Sequence, residues 1–242
     1  MGGRKLYCLL QPVLLNHQIK MGRDALFDLL AAHRLLVRKK RRSVRTTWSN
    51  HWLKKHPNLI KDHKPRQPGQ LWVADITYVP VTNGFLYLSL VTDAYSHRIM
   101  GYHIAPTLQA IHCVKALQMA LKESALPPLI HHSDRGIQYC SADYINLLNS
   151  VGVKISMTES GDPLENAIAE RVNGIIKNEY LVHYKITSTQ QARQLLQSVV
   201  SRYNEQRPHQ SINMLTPQNV HQQMILVNKT WSRKRTLAPQ TS

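Results

Sequence analysis

Cysteine, acidic residues and long apolar segments are scarce in this 242-residue chain, and each scarcity excludes a class of protein. The cysteines Cys8, Cys113 and Cys140 are far apart and form no C-x-x-C pair, which argues against a disulfide scaffold or a zinc site. The histidines are scattered, and we expect no histidine metal site. No apolar run approaches the roughly 18 residues of a membrane span, and the first residues lack the apolar core of a secretory signal. We therefore expect a soluble protein of a reducing, intracellular compartment without a membrane partner.

The shortage of acidic residues leaves a strong positive charge. The chain has 14 Asp and Glu against 31 Lys and Arg, a formal net charge of +17. Residues 1–70 hold 16 of the basic residues and only three acidic ones, so most of the excess lies there. Such an excess favours a polyphosphate partner, because binding releases condensed counterions. An anionic membrane surface and a ribosomal-type basic surface remain open on charge alone.

The first 70 residues predict a helical unit followed by a basic tether. Between residues 4 and 37 apolar positions recur at helical spacing, with an interruption at 18–22, which predicts two or more short helices. Residues 43–70 contain three prolines and little periodicity, as is typical of a linker. A basic run joins the two, and we expect its side chains to contact phosphates unless they are simply solvated: Arg38, Lys39, Lys40, Arg41 and Arg42.

From residue 71 onward the pattern predicts an α/β domain. Two apolar, β-branched runs over 71–79 and 85–91 flank Asn83-Gly84, a strong hairpin signal. A third strand is expected over 98–104. Helices and strands then alternate, with a helix stopped by Pro127-Pro128, a strand over 129–132, a helix over 142–149, a strand over 153–156 and a final helix.

The final helix carries a polar stripe opposite its apolar stripe. Asp162, Pro163 and Glu165 are typical of a capped helix start. Solvation of the polar stripe is the simpler interpretation, but two amides, a carboxylate and a lysine are an unusual set for a surface helix. At 100° per residue the stripe comprises Asn166, Glu170, Asn173 and Lys177.

Three carboxylates stand where a divalent-metal site for nucleic-acid cleavage would need them. Asp75 falls within a predicted strand, Asp134 just past one, and Glu170 on the last helix. Phosphodiester chemistry is commonly assisted by two Mg²⁺ ions, and Mg²⁺ binds carboxylate oxygens. Each residue alone has a plainer interpretation: a hydrogen-bonded strand Asp, a turn-forming Asp and a solvated helical Glu.

At these residues the chain resembles the transposases encoded by the second reading frame of the insertion-sequence-three family, which share the retroviral-integrase catalytic core and its DDE motif. Trp72-Val-Ala-Asp-Ile-Thr-Tyr78 resembles the first-Asp strand of that family, and His132-Ser-Asp-Arg-Gly-Ile-Gln-Tyr139 its second-Asp loop. Asn166-Ala-Ile-Ala-Glu170, with Lys177 seven residues later, resembles its Glu helix. Tyr203-Asn-x-x-Arg-Pro-His209 resembles its C-terminal signature.

The resemblance implies a ribonuclease H-like fold with a mixed five-stranded sheet flanked by helices, and a small all-α segment of helix-turn-helix type in front. Asp75, Asp134 and Glu170 would be the catalytic residues and metal ligands, since the 35 residues between the last two equal the family's spacing. They would bind Mg²⁺, with two ions expected and Mn²⁺ as a substitute. Besides the basic run, the DNA-contacting side chains would be Lys177, Asn166, Asn173, Arg135 and Gln138.

The same resemblance divides the chain into a DNA-binding segment (1–42), a basic linker (43–70), the catalytic core (71–186) and a helical C-terminal extension with a basic tail (187–242). The expected activity is DNA nicking followed by 3′-hydroxyl strand transfer on double-stranded DNA, by a homo-oligomer in the bacterial cytoplasm at the nucleoid. Because no leucine-zipper stretch is present, we expect an upstream-frame or fused product to contribute. A purely hydrolytic nuclease and a catalytically inactive DNA-binding remnant are the alternatives.

Overall fold

A computed structural model of the chain describes residues 2–36, 52–61, 64–159 and 163–224. Within them, five strands form one mixed sheet in the order β3-β2-β1-β4-β5, with helices on both faces. The strands are β1 (Leu71–Val81), β2 (Gly84–Asp93), β3 (Ile99–Ala105), β4 (Ile130–Ser133) and β5 (Lys154–Met157). The α-helices are α1 (Gly3–Asn16), α2 (Arg23–Ala32), α3 (Ala110–Glu123), α4 (Ala142–Ser150), α5 (Ala167–Ile175), α6 (Thr189–Gln206) and α7 (Pro217–Gln222). The expected five-stranded α/β sheet and the helices preceding it are confirmed.

The hairpin predicted at Asn83-Gly84 is present, and its strands are longer than predicted. β1 and β2 pair without interruption from Trp72 opposite Asp93 to Val81 opposite Gly84. Gly84 has a φ of +106°, a conformation that favours glycine. Pairing continues through Pro80 because β4 flanks β1 only over 71–73, so Pro80 needs no donor on that side.

Alternation along β1 divides its side chains between two cores. Trp72 and Ala74 point to one face, where they pack with buried residues of α3 and α4. Leu71 and Val73 point to the other face and pack with residues of α5. Since side chains alternate along a strand, Asp75 lies on the α5 face.

Part of the predicted linker lies against the sheet edge. Pro57 O accepts a hydrogen bond from Met157 N–H (3.2 Å), and Leu59 N–H donates to Ser156 Oγ (2.9 Å), so this segment runs beside β5. Ile60 adds an apolar contact with the core around Leu71. An extended segment anchored by its backbone shows no periodicity in sequence, which is why it resembles a free linker.

The N-terminal helices form a small pair, with Leu26 and Leu30 of α2 as its buried apolar residues. Several apolar side chains of the pair stay exposed, including Val13, Leu15 and Leu29. Among the helices of the described residues, none combines the length and apolar character needed to cross a bilayer.

Candidate active site

Asp75 occupies the middle of β1 on the face covered by α5. Its Oδ1 accepts a hydrogen bond from Ile76 N–H (2.9 Å), and its Oδ2 accepts one from Asn173 Nδ2 (2.8 Å). A strand carboxylate on a covered face requires such partners, because an unpaired buried charge is costly. Asn173 therefore supports the ionised form of Asp75.

Asp134 follows β4 and is brought beside Asp75 by the sheet. β4 runs parallel to β1 with His132 opposite Val73, and two further residues along each strand bring Asp134 level with Asp75. Asp134 Oδ1 accepts a hydrogen bond from Gly136 N–H (2.9 Å), so the loop after β4 turns tightly around this carboxylate. A Cβ at Gly136 would lie 2.9 Å from that same oxygen, so a glycine fits this tight turn.

Glu170 lies in the first turn of α5 and its side chain is exposed. The chain enters the helix through a 3-10 turn at Pro163–Asn166, and the α-helix begins only at Ala167. The expected cap residue Asp162 lies outside the described residues. Glu165, expected to cap the same turn, accepts a hydrogen bond from Glu159 N–H instead (2.8 Å).

The polar stripe of this helix faces β1, apart from the exposed Glu170. Asn166 Nδ2 donates to Ala74 O (3.0 Å), Asn173 Nδ2 to Asp75 Oδ2, and Lys177 Nζ to Thr77 Oγ1 (3.2 Å). Both asparagines are buried. A solvated stripe is therefore the wrong interpretation, since three of its four members bond in order along β1.

The other predicted DNA contacts are placed in part. Arg135 is partly buried in the loop after Asp134, and Gln138 is buried with its Nε2 donating to Leu108 O (2.9 Å). The basic run 38–42 lies outside the described residues. Contact of these side chains with DNA stays a prediction.

Electrostatics couple the three carboxylates. The pKa of Asp75 is raised to about 7, first by burial and then by the charge of Asp134, with a smaller contribution from Glu170. The hydrogen bonds from Asn173 and Ile76 N–H act in the opposite direction. A carboxylate whose ionisation is opposed by two others suits a divalent cation, because the cation would favour the ionised form. As they stand, no three Asp, Glu, His or Cys side chains in the described part of the chain are close enough to hold a metal ion.

Sequence reasoning missed a chain of hydrogen bonds that joins His132, two residues before Asp134, to Ser156 and Leu59. His132 Nδ1 and Ser156 Oγ are 2.8 Å apart, and Ser156 also accepts from Leu59 N–H. Burial lowers the pKa of His132 to about 4, so the ring is neutral and its Nδ1 can accept the Ser156 proton. The His131-His132 pair directly before Ser133-Asp134 was the available sequence signal.

Asp93, at the end of β2, supports the fold. Its Oδ1 accepts from Tyr95 N–H, Ser96 N–H and the Ser96 hydroxyl, and its Oδ2 accepts from Gly69 N–H (2.8 Å). It pairs with Trp72, three residues before Asp75 along β1. Asp93 thus fixes the turn after β2 and the start of β1.

The core of the chain matches known protein families. A model of the integrase core domain matches residues 65–163, and a second integrase core model matches residues 151–217. The chain is 39% identical over 211 residues to the IS600 uncharacterized 31 kDa protein of Shigella sonnei, covering 86% of this chain and 78% of that protein.

Two named transposases are more distant. The IS629 transposase of Shigella sonnei is 32% identical over 71% of this chain, and the IS3fB transposase InsF of Escherichia coli is 33% identical over 72%. The chain spans 58% and 62% of their lengths.

Solved structures agree with the fold. The HTLV-2 integrase catalytic core domain, determined in complex with magnesium, superposes with a TM-score of 0.52 at 19% identity, covering 64% of this chain and 97% of that one. A chain of the simian T-cell lymphotropic virus intasome, determined in complex with the PP2A regulatory subunit B56 gamma, superposes with a TM-score of 0.58 at 16% identity, covering 100% of this chain and 78% of that one. At these identities the likeness concerns the fold, which is the mixed sheet flanked by helices described above. Sequence and fold together place the chain in the insertion-sequence-three family of transposases, built around an integrase core.

Proposed function

We propose that this chain nicks double-stranded DNA and transfers the exposed 3′-hydroxyl to a second DNA strand, with Asp75, Asp134 and Glu170 as the metal-binding catalytic triad. The observation that supports it best is the position of Asp75, on a covered strand face where Asp134 and Glu170 both raise its pKa. Lys177 is the cationic member of the polar stripe, and it donates to Thr77 Oγ1 and not to any of the three carboxylates.

In the first step a water oxygen attacks a phosphorus atom, the bond from phosphorus to the 3′ oxygen breaks, and a 3′-hydroxyl and a 5′-phosphate result. In the second step that hydroxyl attacks a target phosphodiester, which joins the strands and releases a new 3′-hydroxyl. Mg²⁺ held by the three carboxylates, with Mn²⁺ as substitute, would promote deprotonation of the attacking oxygen and balance charge on the leaving oxygen.

The chain's own side chains have distinct tasks in this scheme. Asn173 holds the Asp75 carboxylate in one orientation. Lys177 donates to Thr77, which lies two residues from Asp75 on the same face of β1. At this position its ammonium group would contact a phosphate next to the reacting one. Asn166 ties α5 to the backbone of β1.

The partners follow from family and charge. We propose that the DNA substrates are the ends of a mobile element and a target, bound by a homo-oligomer in the bacterial cytoplasm. The net charge of +17 supports a DNA partner. Assistance by an upstream-frame product and association with the nucleoid stay predictions.

A joining assay tests the proposal. Purified chain is incubated with labelled duplexes carrying the ends that flank its gene, with Mg²⁺, Mn²⁺ or EDTA, and nicks and joined products are scored separately. Joined products that require the metal are expected. Nicks without joining would favour a hydrolytic nuclease, and binding without any reaction would favour a DNA-binding remnant.

Asn173→Leu should weaken metal binding without unfolding the chain. It removes the donor to Asp75 Oδ2 and so makes the ionised carboxylate less favourable. We expect the Mg²⁺ concentration for half-maximal activity to rise by about 10- to 100-fold, as for other groups that orient metal ligands. A Mg²⁺ titration of nicking measures it, with Asn149→Leu on the exposed face of α4 as the matched control. An unchanged Mg²⁺ requirement in Asn173→Leu would contradict the assignment.

A further inference from the structure

Arg207 is a buried arginine directly after α6, and the proposed chemistry gives it no task. It belongs to the Tyr203-Asn-x-x-Arg-Pro-His209 motif and is only 1% exposed. Its guanidinium group forms a bidentate ion pair with the Glu179 carboxylate. Nη2 lies 3.0 and 2.9 Å from the two carboxylate oxygens, and Nε lies 3.2 Å from Oε2. Removal of one partner of such a pair leaves a buried charge without compensation, so the two side chains hold each other in place.

Glu179 belongs to an unusual segment. A π-helical turn at Ile176–Tyr180 follows α5 without a break. π-Helical turns are rare, occur mostly as single turns next to or inside α-helices, and are frequent at functional sites. Arg207 supplies this turn with a bidentate contact from outside it.

The same π-helical turn carries Lys177. Its Nζ donates to Thr77 Oγ1 (3.2 Å), and Thr77 is the next residue after Asp75 on that face of β1. One short segment thus presents Lys177 to the active-site strand and Glu179 to the C-terminal extension. Rotation of the turn would move both side chains together.

Arg207 is itself held on several sides. Nη1 lies 3.1 Å from His209 Nε2. Burial and the Arg207 charge lower the pKa of His209 to about 2, so the ring is neutral and accepts this bond. The guanidinium also lies 6.0 Å from the centre of the Tyr203 ring, whose hydroxyl donates to His97 O (3.0 Å). Residues of the motif thus hold the Arg207 guanidinium in place, and its positive charge faces Glu179.

We infer that Arg207 is a positioning residue for DNA strand transfer: through Glu179 it fixes the π-helical turn and so keeps Lys177 beside Asp75. The inference rests on the proposed function, in which Lys177 contacts a DNA phosphate. It gives the C-terminal signature a role at the active site although none of its residues belongs to the metal-binding triad.

A double-mutant cycle on joining rate tests the inference. Arg207→Gln and Lys177→Ala should each slow joining by about 10- to 100-fold, since small misplacements of a positioning group cost up to about 100-fold. If Arg207 acts through Lys177, the double variant should be no slower than Lys177→Ala alone. Losses that multiply would overturn the inference and assign Arg207 a general structural role. Arg202→Gln, on the exposed face of α6, is the matched control and should join at the wild-type rate.

Amide hydrogen exchange of the full chain supplies a readout that does not depend on activity. In Arg207→Gln, exchange across 176–180 should accelerate at least about tenfold while β1 and β2 keep their protection. Unchanged exchange there would overturn the inference. Glu179→Gln, whose side chain is partly exposed, should reproduce both effects and replaces Arg207→Gln if that variant does not fold. Failure of the wild-type chain to join DNA would contradict the proposed function, and a joining rate unaffected by Lys177→Ala would remove the DNA contact on which this inference rests.

Discussion

Glu170→Gln is expected to abolish both nicking and joining while DNA binding stays close to that of the wild-type chain. The substitution keeps the size of the side chain but removes the charge that would bind the metal and that contributes to the raised pKa of Asp75. A loss of at least about 1,000-fold in the chemical step is expected, which corresponds to about 4 kcal/mol of transition-state stabilisation. Binding should persist, because the substitution changes none of the basic residues that would contact the phosphates. Product formation and gel-shift affinity measured on the same preparation separate the two effects.

Glu165→Gln is the matched control for this prediction. Glu165 precedes Glu170 by five residues, and its carboxylate accepts a hydrogen bond from the backbone of Glu159. It therefore faces the segment directly after β5 and has no part in the proposed triad. Near wild-type joining is expected from Glu165→Gln. An inactive Glu165→Gln chain beside an active Glu170→Gln chain would reverse the assignment.

The sequence predicted what local patterns determine. Asn83-Gly84 between two apolar runs defines the β1–β2 hairpin, and alternation of helices with strands defines the mixed sheet. The carboxylates were identified by type and spacing, and β1–β4 pairing then brings Asp75 and Asp134 level. Such features need only short-range periodicity and a small set of allowed topologies.

The surface that the polar stripe of segment 166–177 contacts was not predictable from helical periodicity alone. Helical periodicity shows that Asn166, Asn173 and Lys177 share a face, but it does not show whether that face meets water or a second polar surface. The complementary signal lies on β1, where Asp75 and Thr77 are polar residues at alternate positions of one strand face. The 3-10 entry into α5 was missed as well, because 3-10 turns at helix termini share the residues that cap α-helices.

The hydrogen bonds that join His132, Ser156 and Leu59 connect residues far apart in the sequence. The ion pair of Arg207 with Glu179 does the same. Leu59 and Ser156 are separated by 97 residues, and Glu179 and Arg207 by 28. No local pattern encodes such pairs, since each depends on how separate elements pack. Both lie at the edges of the site, and they couple the linker segment and the C-terminal extension to the core.

Gly101→Ala is expected to destabilise the chain by about 3 kcal/mol or more, a large part of the stability of an ordinary domain. Gly101 lies in β3, and a Cβ there would be 2.1 Å from Ala116 O and 2.7 Å from Ala120 N of α3. These are backbone atoms of a helix packed on the sheet, so no side-chain rotation relieves the overlap. Urea unfolding followed by circular dichroism measures the loss, and a wild-type midpoint would show that α3 does not approach β3 so closely.

Gly174→Ala is the same chemical change, but it is expected to stabilise the chain where Gly101→Ala destabilises it. Gly174 lies inside α5, where the nearest atom to an added Cβ, Asn178 Nδ2, is 4.0 Å away. A glycine inside a helix costs about 1 kcal/mol relative to alanine, so this substitution should stabilise the chain by about that amount. The two variants together distinguish the close approach at Gly101 from any general effect of replacing glycine. Because α3 lies on the face of the sheet opposite Asp75, the Gly101→Ala chain should still join DNA at temperatures where it remains folded.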